Sequence, residues 1–145
     1  MRATYRVLAL LIAAGVVVQA AAIAYAMFQV RHAADAGAVF DKNTEANAGE
    51  ALHSTLGMMV IPLLALVLLI VSFFARIPGG IMWAGIVLGV VVLQIVLAFA
   101  SFAAPVVGVL HALNAFALAG VASIAARKSR TAGTGAPLDT SAAAV

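Results

Sequence analysis

Two histidines, His53 and His111, stand inside long apolar stretches of this sequence. Ionisable side chains within such stretches are rare and mark function by default, so this pair sets the chemical question. A neutral imidazole carries one N–H and one bare nitrogen, and the bare nitrogen is a metal ligand. Glu50, three residues before His53, is the other reactive group. It can move a proton, or it can close a helix end, because Asn47 and Glu50 have the N-cap and N3 spacing of a capping box. Both roles stay open at this point.

The two histidines have matched positions. His53 lies six residues beyond Asn47, and His111 lies six residues beyond Pro105, which suits a first helical turn. At 1.5 Å per residue each is about 9 Å into its helix. Gly49 and Gly57 flank His53 at four residues on either side; Gly108 and Ala115 flank His111 at three and four. Residues at these spacings share a helix face. Each imidazole therefore stands on a strip with little side-chain bulk, which suits a flat porphyrin or a close neighbouring helix. Axial histidine nitrogens hold haem iron. The expectation is one b-type haem held by His53 and His111, with Gly57 and Gly108 clearing its faces and Arg31, beside His32 and Lys42, near its propionates. With both axial positions filled, electron transfer or haem handling follows. Zinc is a weaker fit, since two histidines and Glu50 make a poor ligand set in an apolar setting. The bland alternative is that each histidine hydrogen-bonds a neighbouring helix.

The string Glu50, Ala51, Leu52, His53 opening a second helix, with His111 early in a fourth, resembles one four-helix half of the haem A synthase family. That family is built from two four-helix bundles with histidines on the second and fourth helices of each. The resemblance covers residues 7–126. It implies His53 and His111 as haem ligands and Glu50 as the acidic residue beside a substrate haem. One bundle cannot hold separate substrate and cofactor haems, so an enzyme of this kind would work as a homodimer. The loop cysteine pair of many bacterial members has no counterpart here. The strings from His53 to Gly57 and from Leu110 to Asn114 are also similar to small four-helix membrane proteins of actinobacteria.

What must position these residues follows from composition. Of 145 residues 66% are hydrophobic and only 9% charged, against roughly a quarter in soluble domains. The mean hydropathy is +1.18. Crossing a bilayer takes about 20 apolar residues in helical form. Four stretches meet that length, at about 7–30, 52–75, 81–103 and 105–126, with one sizeable polar loop at 31–50. The predicted fold is all-α: an antiparallel four-helix bundle in the membrane over residues 1–130, then a disordered cytoplasmic tail over 131–145. Arg2, Arg6, Arg76, Arg127, Lys128 and Arg130 share one side of that arrangement, and only Arg31 and Lys42 the other. The positive-inside rule then puts both termini in the cytoplasm, and the resemblance implies a bacterial plasma membrane. The basic start and the small residues near Ala24, Tyr25 and Ala26 also resemble a signal peptide, but the apolar run exceeds the usual 7–15 residues of one.

Gly85 and Gly89 form a GxxxG pattern that permits close helix contact, and Gln19, Gln94 and Asn114 are polar groups suited to bonding between helices. The absence of cysteine excludes disulfides, thiolate metal sites and cysteine nucleophiles. No phosphate-binding glycine loop follows a strand, and the basic residues read as topology signals rather than nucleic-acid contacts. The expected partners are the bilayer, a quinone or respiratory-chain component, and a second copy of the chain. A haem-free structural subunit of a membrane complex is the remaining alternative.

Overall fold

The computed structural model describes residues 1–131. Every regular element among them is helical: α1 (Arg2–Asp35), α2 (Ala48–Thr55), a π-helical segment (Leu56–Val60), α3 (Ile61–Ala75), α4 (Gly80–Ala103) and α5 (Val107–Thr131). The second, third and fourth of these elements run on as one rod, so four rods result, all long and apolar enough to cross a membrane. The shortest has 24 residues, about 36 Å of helix against a hydrocarbon core of about 30 Å.

These helices extend beyond the apolar runs that reveal them. Backbone hydrogen bonding continues past the last apolar residue, so α1 reaches Asp35 and α2 begins at Ala48, inside the expected loop. Pro105 lies in the turn before α5, where its carbonyl accepts from the Gly108 N–H at 3.0 Å. The expected disordered tail falls outside the described residues except for Thr131, which ends α5.

α2 starts with a complete capping box. Asn47 Oδ1 accepts from the N–H groups of Gly49 and Glu50 at 3.0 and 3.1 Å, and Glu50 Oε2 accepts from the Asn47 N–H at 2.9 Å. Asn47 also donates to the Ala26 carbonyl at 3.2 Å, which ties this end to α1. The π segment has a local cause. Pro62 has no N–H and its ring crowds the carbonyl four residues back, so the turn before it widens, and Ile61 N–H bonds Leu56 O instead.

Close contacts set the register. A Cβ on Gly49 would lie 2.6 Å from Ala22 O, one on Gly57 2.8 Å from Gln19 Nε2, and one on Gly15 3.3 Å from Ile61. Residue numbers thus fall along α1 as they rise along the second rod. α1 also packs on α5, α5 on α4, and α4 on α3, which closes a ring. The turn from α3 to α4 uses left-handed backbone at Arg76 (φ 49°) and Gly79 (φ 70°). Tyr5 Oη donates to Gly80 O at 3.0 Å, a buried bond that pins the start of α1 to this turn.

The apolar core is lopsided. Tyr5, Ile12, Leu68, Val87 and Val91 are its largest fully buried side chains, and all belong to the half of the bundle that holds the Tyr5–Gly80 bond. In the other half α2 leans on α1, and full burial is confined to Ala22, Ala26 and Gly49. Gly85 and Gly89 do not serve a contact within the chain: both are exposed, and a Cβ at either would meet nothing within 4 Å.

Candidate functional site

Where the apolar core stops, five polar side chains begin: Gln19 on α1, His53 on α2, Gln94 on α4, and His111 and Asn114 on α5. All five are half-buried. The two imidazoles meet, with ring centroids 6.3 Å apart and planes at 60°.

Each ring is anchored in the same way. His53 Nδ1 lies 3.1 Å from Gln19 O, and His111 Nδ1 lies 3.1 Å from Gln94 O. A carbonyl can only accept, so both Nδ1 atoms carry a proton, and in the neutral ring Nε2 is then the bare nitrogen. This is how ligating histidines are oriented: the second nitrogen donates to a backbone carbonyl, fixing tautomer and ring direction. The device occurs once in each helical hairpin, from a glutamine on the first helix to a histidine on the second.

The two Nε2 atoms differ in their surroundings. Asn114 Nδ2 donates to Val90 O at 3.1 Å, so the atom it meets at 2.6 Å on Gln94 is the amide oxygen. Gln94 Nε2 is then a donor, and it reaches His111 Nε2 at 3.1 Å and His111 O at 3.0 Å. His111 is satisfied at both nitrogens by α4. Among the described residues no donor is paired with His53 Nε2. Gln19 Oε1, beside Gly57, is buried without a hydrogen-bond partner.

The two rings are close enough to hold one metal ion between them, which would take the place of the Gln94 N–H at His111 Nε2. Among the described residues, no group of three or more His, Cys, Asp or Glu side chains is gathered for a metal. A haem iron needs only two axial ligands from protein, because the porphyrin supplies the rest.

The remaining candidate residues lie elsewhere or have other partners. Arg31 turns onto Asp35 one turn along its own helix, at 2.9 Å, and its side chain is 76% exposed, so it is not drawn toward the histidines. Glu50 closes the capping box and faces an outer cleft of about 590 Å³, lined also by Gln29, His32, Phe40 and Glu45. Gly49 and Gly57 are used by contacts with α1 rather than as open flanks. Gly108 stands beside Ser101, whose Oγ would lie 3.8 Å from an added Cβ. What the sequence conceals is the pair of carbonyl anchors, because a backbone oxygen has no signature in residue type. The glutamines themselves were visible as polar groups within spans. No family model, curated protein or solved structure matches the chain.

Proposed function

We propose that this chain is a multi-pass protein of a bacterial plasma membrane, an antiparallel bundle with both termini in the cytoplasm, that binds one b-type haem through His53 and His111. The observation that carries this reading is the pair of imidazoles at 6.3 Å, each donating its Nδ1–H to a helix carbonyl. Haem held in this way supplies one-electron transfer. The protein's part is to fix both rings, keep their ligating nitrogens unprotonated, and hold the site on the side of the membrane away from the termini. A quinone or a respiratory-chain component is the partner class that suits such a site.

A second reading has its own support. Gln94, itself held by Asn114, satisfies His111 with no ligand at all, as expected of a haem-free structural subunit whose polar groups bind helices together. A reduced-minus-oxidised visible spectrum of detergent-purified protein, made with ample haem, separates the two. A sharp reduced α-band that disappears in His53→Ala and in His111→Ala supports the cytochrome. A featureless spectrum leaves the structural subunit.

A further inference from the structure

At the end of the bundle opposite the histidines, α1 and α5 line a cleft of about 320 Å³. Its rim carries Arg6, Arg127 and Arg130, and its wall Leu10, Gly120 and Ile124. Among the described residues no carboxylate pairs with any of the three guanidinium groups. The described acids are Asp35, Asp41, Glu45 and Glu50, at the far end of α1, in the loop after it and at the start of α2. Three like charges around one cleft repel each other until an anion is placed among them. The exposed N–H groups at the start of α1 add further positive potential beside Arg6.

The cleft is also amphiphilic in a fixed direction. Leu10 follows Arg6 by four residues, and Arg127 follows Gly120 by seven, so on both helices an apolar or empty position lies directly below a guanidinium. Gly120 is exposed, and an added Cβ would touch nothing within 4 Å, which leaves a shallow channel between the Leu10 and Ile124 side chains. A free phosphate ion would use the rim and leave this channel unfilled. A phospholipid uses both.

We infer that this cleft is a binding site for an anionic phospholipid. The phosphate lies among Arg6, Arg127 and Arg130, and one acyl chain runs along Gly120. Arginine suits the task, since its planar fork offers paired N–H donors to phosphate oxygens. Basic pockets between membrane helices on the cytoplasmic side recognise lipid headgroups by these means. The inference rests on membrane insertion and not on haem, so loss of the haem reading leaves it intact.

The test is native mass spectrometry of the full chain in detergent, titrated with phosphatidylglycerol or phosphatidylcholine of identical acyl chains. Phosphatidylglycerol adducts should form at lower concentration. Each of Arg6→Gln, Arg127→Gln and Arg130→Gln should weaken them about fivefold, while Arg31→Gln, at the other end, should not. Gly120→Leu should weaken binding of phosphatidylglycerol with all three arginines in place. Helix content by circular dichroism identifies any variant that fails to fold, and the remaining single variants then decide. Equal adducts with both lipids, or unchanged preference in the folded arginine variants, overturns the proposal. So does full competition by inorganic phosphate with no effect of Gly120→Leu, which would identify a phosphate-ion site.

Discussion

His53 Nδ1 and the backbone oxygen of Gln19 are 3.1 Å apart, and through that bond α1 decides which nitrogen of an α2 histidine is bare. The bond exists only because the helices approach closely here, and Gly49 permits the approach. Replacing Gly49 by alanine puts a Cβ 2.6 Å from Ala22 O. The backbone cannot yield cheaply, so α2 should lift from α1. A loss of about 1–3 kcal/mol is expected, as for overpacked sites generally. It should read out as a lower melting temperature in detergent and, for haem-loaded protein, as lower haem content per chain.

The asymmetry between the two Nε2 atoms gives Gln94 a diagnostic role. Gln94→Leu removes the donor that occupies His111 Nε2 and leaves Asn114 Nδ2 with Val90 O as its one acceptor. In haem-free protein this should cost about 1–3 kcal/mol for the polar groups left unpaired. In a cytochrome the same change removes a competitor for the ligating nitrogen, and haem occupancy should rise relative to wild type. Haem titration of both proteins reads the sign. A fall in occupancy with intact helix content would count against His111 as a ligand.

Asn47 bonds in two directions, to the first N–H groups of α2 and to Ala26 O on α1. Asn47→Ala should therefore cost more than the roughly 1 kcal/mol of an ordinary cap. Asn47→Asp keeps the cap and loses only the donor to Ala26, so its melting temperature should fall between those of wild type and Asn47→Ala. Equal melting temperatures for all three proteins would show that the cap bears little weight.

Arg76 holds a left-handed backbone that costs a non-glycine residue roughly 1–2 kcal/mol. Arg76→Gly should relieve it, and its carbonyl stays available to Arg2, which donates to it at 3.3 Å. A higher unfolding temperature is expected. The same change removes one basic residue from the terminal side, so a topology reporter fused to the C-terminus should show no inversion while the other five remain.

The parts of this molecule that were legible in sequence are those that residue type alone encodes. Apolar runs revealed four helices because lipid-length helices need little else. Asn47 and Glu50 revealed the cap because its chemistry lies in two side chains at fixed spacing. His53 and His111 could be matched in depth by counting from Asn47 and Pro105, but α5 starts only at Val107, and the direction each ring faces was not legible. The illegible parts depend on which way a residue faces in three dimensions. Gly85 and Gly89 have the spacing for a helix contact but face outward. Arg31 had the charge for a propionate but had a carboxylate four residues away on its own helix. Gly57 looked like an open flank and is instead the space occupied by the Gln19 amide.

The π segment has one more consequence, visible when the second rod is treated as a clock face. Its inward hour is marked by Ile61, Ala65, Leu68 and Ser72, all buried. In an unbroken α-helix of about 100° per residue, seven residues back from Ile61 returns to that hour within about 20°, whereas eight overshoots by about 80°. Ser54, not His53, would then point inward. The wide turn at Leu56–Val60 absorbs one additional residue and sets the clock back by about 100°. That brings the imidazole to the inward hour and sends Ser54 outward, where its hydroxyl bonds Ala51 O at 3.1 Å on its own helix. The identity of the residue that faces His111 is thus decided downstream of it, by Pro62 and the turn it widens.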